Sequence, residues 1–256
     1  MRGSPSLRLT RESTSALAAC IEGARPRALF QGEGFGRAGA VDCDGEEYAA
    51  MLAHASGELA DVRDADIHDV LYTSGTTGTP KGAMISQCAA ATRALRLAEW
   101  FRLTPDDGFI GWLPMFHCRG DESLYASWLS GGRYSAFTKV DVVEMFRRIE
   151  KYRLSWTLLL PGVITSFLNH PDRGAFDLSL FRFAIGYANM MPQVIADLTR
   201  TLNLSFFDAF GQTESSYLLA HAEALPDAVA PEIPFGAHGR AHRRRSHERA
   251  AGRCPR

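Results

Sequence analysis

The chain has 256 residues, 46% of them hydrophobic and 22% charged, with a formal net charge of −1. That is enough for one large domain or two small ones with a sizeable core. The polar start "MRGSPSLRLT" does not read as a signal peptide. The most apolar stretch, "WTLLLPGVITSFL" (156–168), is too short for a bilayer span and holds a Pro-Gly pair. Five scattered cysteines without a CxxC pair argue against a disulfide framework or a zinc site and make a reducing cytoplasm the expected setting.

Residues 1–66 alternate apolar clusters with Gly- and Arg-rich breaks, giving short strands and one helix near Glu46–Leu59. From Ile67 the pattern becomes regularly α/β. "DVLYTS" reads as a strand that enters a glycine loop, and "QCAAATRALRLAEWF" after Ser86 reads as a helix. In "DVVEMFRRIEKY", Val142, Met145, Phe146 and Ile149 share one helical face, with Asp141 as N-cap and Glu144 three residues on in a capping-box pattern. "SWTLLLP" then reads as a buried strand.

Strand "FRFAI" (181–185), the polar turn "GYANMM", a helix opening at Pro192 and strand "LSFFDAF" form a strand–helix–strand unit. Such a unit implies parallel pairing. Its helix should bury Val194, Ile195, Leu198 and Leu202. The expected fold class is therefore α/β, with mainly parallel sheets flanked by helices. Residues 240–256 hold seven of the 28 Lys and Arg and only one acid, which leaves residues 1–239 at a net charge of −7. An acidic body of this kind argues against nucleic acid as a partner. The tail itself has no apolar periodicity, and disorder is expected of it.

The stretch "LYTSGTTGTPKGAMIS" (71–86) concentrates glycines, threonines and one lysine. Successive amides of a Gly/Thr loop make a concave anion site, threonine hydroxyls add donors, and Lys81 adds a compact charge suited to phosphate. The Walker A pattern fails: Pro80 stands where its second glycine belongs, and Gly82 follows the lysine. A kinase-like NTPase is disfavoured on that ground.

"YTSGTTGTPKG" resembles the phosphate-loop signature of the adenylate-forming superfamily, which includes acyl- and aryl-CoA synthetases. "LPMFHCRG" (113–120) and "DAFGQTESS" (208–216) are similar to two further segments of that family, and "GYANMMP" (186–192) sits where it usually has "GGAPLP". The resemblance implies the large N-terminal domain of such an enzyme, in part. It also implies activation of a carboxylic acid, fatty or aryl, by ATP with Mg²⁺ through an acyl-adenylate, and transfer to coenzyme A.

By the same resemblance Thr73, Ser74, Gly75, Thr76, Thr77, Gly78 and Lys81 hold the outer phosphates. Thr213 touches the α-phosphate and Glu214 holds the metal. Phe210 stacks on adenine, with Asp208 and Gly211 in the same segment. Gly186, Tyr187, Ala188 and Asn189 line the adenine and acyl side, although Tyr187 puts a ring where the family has glycine. His117 lies near the acyl carboxylate. A histidine there, rather than the aspartate of amino-acid-activating domains, points to acyl or aryl acids.

The family's "TGD" segment and its C-terminal lid domain with an essential lysine are missing from this sequence. "PFGAHGRA" turns into Arg-rich text as a frameshift would. The expected organisation is a remnant of an N-terminal subdomain (1–66), an AMP-binding core (67–239) and a tail foreign to the family (240–256). The alternative to an impaired ligase is an inactive nucleotide-binding fragment.

Overall fold

The computed structural model describes residues 6–7, 14–32, 39–55, 57, 61–73, 80–187 and 191–224. The glycine loop 74–79 and the Arg-rich tail lie outside the described residues. The chain divides after Ala90 into two compact units.

The first unit contains β1 (Ser6–Leu7), α1 (Thr14–Ala24), β2 (Phe30–Gln31), β3 (Val41–Asp42), α2 (Glu46–Ala53), β4 (Ile67–Thr73) and β5 (Lys81–Ser86). Strands β1, β4 and β5 form a sheet in that order, with β1 parallel and β5 antiparallel to β4. The strand expected at "DVLYTS" is thus half of a hairpin whose return strand begins at Lys81. Along β4 the alternation of the pleat buries Asp69 and Leu71. Tyr72 donates its hydroxyl to the Cys20 carbonyl at 2.9 Å, tying the hairpin to α1.

Helix α3 (Gln87–Trp100) crosses the division. The second unit continues with β6 (Gly108–Gly111), α4 (Cys118–Leu129), β7 (Arg133–Ala136), α5 (Val142–Tyr152), β8 (Trp156–Leu158), α6 (Pro161–Asn169), β9 (Phe183–Gly186), α7 (Pro192–Leu202), β10 (Ser205–Gln212) and β11 (Ser216–Ala224). Its sheet has the order β11-β10-β9-β8-β6-β7. All neighbours are parallel except β11, which runs antiparallel to β10.

Period-two alternation sorts the strand side chains into two cores. Ile110, Ala184 and Phe206 face α5, α6 and α7, joining Met145, Phe146, Ile149, Ile164, Phe167 and Leu198. Their neighbours Phe109, Phe183, Ile185 and Phe207 face the other way, with Ala94, Leu97 and Phe101 of the α3 segment and Ala126 of α4. Aromatic rings dominate this second layer. Phe183 stacks on Phe101 at 5.1 Å and on Trp156 at 5.4 Å. Each such ring buried contributes about 1.5–3 kcal/mol.

Helix α5 forms where its periodicity places it, and Asp141 accepts from the Glu144 amide at 3.0 Å. The capping box is only half made, because the Glu144 carboxylate pairs with Arg147 and Arg148 instead of returning to the cap. Helix α7 opens at Pro192 and buries Ile195, Leu198 and Leu202. Val194 is half-buried against the same core. The parallel pairing expected around it is that of β9 with β10.

Candidate active site

The loops and turns at the carboxyl ends of β6, β9 and β10 carry the predicted residues of the second unit, at the end of a parallel sheet where open α/β folds place ligands. After β6 the chain runs to His117, the N-cap of α4. Its Nδ1 accepts from the Arg119 amide at 3.1 Å. A ring nitrogen that accepts carries no proton, so the neutral imidazole holds its proton on Nε2. Burial, and after it the charge of Arg119, hold this histidine below its ordinary 6.5. Neutral His117 therefore offers an Nε2–H donor to a carboxylate or phosphate oxygen.

The first two turns of α4 bury polar groups: Arg119 is 3% exposed and Glu122 4%. Arg119 Nη1 donates to Glu122 Oε2 at 2.6 Å and reaches Ser216 Oγ at 3.4 Å. Its guanidinium lies 3.7 Å over the Tyr217 ring and 5.2 Å from Tyr187. Burial alone would favour loss of its proton, but the facing Tyr217, Tyr187 and Glu122 raise its pKa above the ordinary value. The ring of Tyr187, anomalous in the sequence, is accommodated here: its hydroxyl is hydrogen-bonded to that of Tyr217. Burial pushes both phenols up, so both stay neutral.

Beyond Gln212 the chain turns sharply through Thr213, Glu214 and Ser215 into β11, with Ser216 at φ +62°. A three-residue hairpin loop closed by a left-handed residue suits the twist of paired strands. The Thr-Glu pair thus tops a hairpin and caps no helix. Arg93 of α3 clasps this turn from below. Its Nη1 donates to the Thr213 carbonyl at 3.1 Å and its Nη2 to that of Glu214 at 2.7 Å. The same guanidinium pairs with Glu122 Oε1 at 3.4 Å. Gly211 is required by close approach, since a Cβ there would sit 2.1 Å from the Ser216 carbonyl oxygen and 2.6 Å from Arg119 Nη2.

The structure thus brings Gly211, Thr213, Tyr187 and the α4 start together around Arg119, and Thr213 Oγ1 lies 4.0 Å from Cys118 Sγ. Gly186 pairs in register with Asp208 on the adjacent strand. Ala188 and Asn189 lie outside the described residues.

In the first unit Thr73 and Lys81 face each other across the last pair of the β4–β5 ladder, and Thr73 Oγ1 reaches the Lys81 carbonyl at 3.4 Å. They hold the two ends of the loop that contains Ser74, Gly75, Thr76, Thr77 and Gly78, all outside the described residues. Lys81 is exposed.

The chain belongs to the AMP-binding enzyme family, whose match covers residues 13–240. It is 29% identical over 206 residues to "3-[(3aS,4S,7aS)-7a-methyl-1,5-dioxo-octahydro-1H-inden-4-yl]propanoyl:CoA ligase" of Mycobacterium tuberculosis, covering 77% of this chain and 41% of that protein. A medium/long-chain-fatty-acid–CoA ligase of the same organism is 30% identical over 184 residues, covering 71% of this chain and 32% of that protein. The chain therefore spans well under half the length of these relatives.

Its fold matches that of o-succinylbenzoate CoA synthetase from Bacillus subtilis in complex with its acyl-adenylate intermediate. The TM-score is 0.73 at 19% identity, covering 86% of this chain and 58% of that one. ATP-bound MatB from Rhodopseudomonas palustris gives 0.70 at 24% identity, covering 85% and 47%. The α/β architecture, a mainly parallel sheet flanked by helices, is that of the N-terminal domain of adenylate-forming enzymes.

The donor set of the hairpin suits a hard cation and a planar base. The Glu214 carboxylate is exposed, and among the described residues no cation pairs with it; carboxylate oxygen of this kind suits Mg²⁺. Phe210, two strand positions before Gln212, is 65% exposed, an apolar face left in water beside the turn.

Sequence reasoning missed Arg93, Arg119, Glu122 and Tyr217. The run "CRGDES" (118–123), charged where a buried helix face is expected to be apolar, is the one signal that could have drawn attention to two of them.

Proposed function

We propose that the chain carries ATP-dependent activation of a carboxylic acid, fatty or aryl, through an acyl-adenylate, followed by transfer to coenzyme A. In the first step a carboxylate oxygen bonds to the α-phosphorus of ATP and the bond to the β-phosphate bridging oxygen breaks, releasing pyrophosphate. In the second, the sulfur of coenzyme A bonds to the acyl carbon, AMP leaves, and the thiol proton is lost to solvent. Support comes from the family match, from relatives named as CoA ligases, and above all from one observation: an exposed carboxylate at Glu214 on a turn whose backbone Arg93 fixes.

Lys81 and Thr73, with Ser74 to Gly78 between them, bind the outer phosphates. Thr213 donates its hydroxyl to the α-phosphate, and Glu214 holds the magnesium. Bound there, magnesium supplies positive charge to the phosphate oxygens on which negative charge collects. The Nε2–H of His117 orients the acyl carboxylate. Phe210 stacks on adenine, and Gly186, Tyr187, Ala188, Asn189, Asp208 and Gly211 line the rest of the site. Protein groups here position and neutralise more than they react.

The reading assigns this core to residues 67–239 and includes a cytoplasmic setting. The four described cysteines, Cys20, Cys43, Cys88 and Cys118, are free thiols. No helix among the described residues is long and apolar enough to cross a membrane.

ATP–pyrophosphate exchange tests the proposal. Exchange that requires an added carboxylic acid is the expected result. ADP release without acid contradicts it, and silence in both assays with retained Mg-ATP binding reduces the chain to a nucleotide-binding module.

A further inference from the structure

The amino ends of the parallel strands, opposite the end that carries Gly186 and the β10 turn, surround a cavity of about 550 Å³. Four arginines line it: Arg102 after α3, Arg133 at the start of β7, Arg153 after α5 and Arg182 just before β9. Only two acids, Asp106 and Asp107, stand against them.

One of those acids is already committed. Asp107 takes a bidentate pair from Arg182, whose Nη2 lies 3.0 Å from Oδ1 and 3.1 Å from Oδ2. It also accepts from Ser155 Oγ at 2.6 Å. Burial pushes this carboxyl up, but the bonds from Ser155 and Thr104 and the charge of Arg182 prevail and hold it below its ordinary value. Arg133 is held by the carbonyls of Asp106 and Arg153, which orient a guanidinium without neutralising it. Among the described residues no carboxylate forms an ion pair with Arg102, Arg133 or Arg153.

Arg102 and Arg153 have φ of +49° and +54°, a conformation that strains any side chain and suits glycine. Both follow helix C-termini, where a cation is favoured by the macrodipole. That accounts for two cations at helix ends. It does not account for the convergence of Arg133 and Arg182 on the same hollow.

We propose that this cavity is a further anion site, made of residues other than those assigned to phosphate and metal at Lys81 and at Glu214, that takes a small molecule bearing two or more phosphates. Planar guanidinium forks match phosphate oxygens bidentately. The volume is that of a small-molecule site. Two adjacent phosphates meet a lining of four arginines against two acids, three of those arginines without an ion pair to a carboxylate among the described residues.

Calorimetric titration of pyrophosphate into the full chain carrying Lys81→Ala tests this, because binding at the glycine loop is then weakened. Pyrophosphate should still bind, and adding Arg102→Gly with Arg153→Gly should weaken it by roughly tenfold or more, the effect of losing charge-assisted hydrogen bonds. Glycine relieves the backbone at both positions, so these variants should fold, with a thermal midpoint no lower than the parent's. ADP run beside pyrophosphate separates the sources: equal affinities identify the phosphates alone as the ligand, and tighter ADP binding, equally lost with the glycines, identifies a nucleotide. Pyrophosphate binding that vanishes with Lys81→Ala alone, or that is indifferent to both glycines, overturns the proposal.

Discussion

Two antiparallel hairpins carry the residues assigned to phosphate and metal, and they are built on different principles. The β4–β5 hairpin presents Thr73 and Lys81 at its loop end, with the glycine-rich segment between them in the same sixteen-residue stretch. Nearly everything it offers an anion is local in sequence. The β10–β11 hairpin presents Thr213 and Glu214 on a tight turn, but the turn is fixed by Arg93, 120 and 121 residues away along the chain. Behind Arg93 stand Glu122, Arg119 and the paired phenols of Tyr187 and Tyr217. At the first hairpin Lys81 is exposed, while at the second Arg93 fixes the backbone beneath Glu214 and leaves its side chain exposed.

Removing the support beneath the second hairpin should have the largest effect. Arg119→Ala leaves Glu122 buried with only the longer contact to Arg93, and breaking a buried pair costs about 3–5 kcal/mol. Urea denaturation should show a loss of that size, together with loss of the fluorescence of a packed Tyr187–Tyr217 pair. Arg93→Ala removes two charge-assisted bonds to the turn, each worth about 1.5–3 kcal/mol. It should lower Mg-ATP affinity by roughly tenfold or more and raise the magnesium concentration needed for binding. Magnesium dependence unchanged in this variant would break the contrast between the hairpins.

Gly211→Ala drives a methyl into the Ser216 carbonyl and should cost about 1–3 kcal/mol of stability, as overpacking does. The smallest effect is on pH dependence. His117 has a folded pKa below its ordinary 6.5, so the unfolded chain takes up its proton first as the solution is acidified. The stabilisation is complete above that value and is lost as pH falls through it toward the folded value. His117→Asn keeps an acceptor for the Arg119 amide and removes the titration. Urea midpoints measured at roughly pH 7.5 and 5.5 should lie closer together in this variant than in the parent.

The same division between local and distant support governs what could be read from the sequence. Helix α5 and the β9–α7–β10 unit were legible because their apolar spacing matches one buried face, and the glycine loop because its chemistry is contiguous. Helix α4 was not. Its first two turns bury Cys118, Arg119, Asp121, Glu122 and Ser123, while Trp128 and Leu129 at its far end are exposed. Apolar periodicity is therefore inverted where it matters. Strands β6 and β7 are four residues each, too short to show alternation, and β11 is set by a turn whose conformation depends on Arg93. The predicted capping box of α5 failed by half, since two arginines one turn away outcompete a backbone amide for Glu144. At the candidate site the residues proposed to face the ligand come from contiguous sequence motifs. The ion network that holds them was not, because it is assembled from α3, α4 and β11, far apart along the chain.

Calorimetric binding of Mg-ATP to the Lys81→Ala and Glu214→Gln variants tests the central reading most directly. Each hairpin, if it serves the nucleotide, should lose roughly an order of magnitude or more in affinity with its charged group. The Glu214 variant should in addition lose its response to magnesium. Affinities equal to the parent's in both variants would contradict the assignment of either hairpin to ATP.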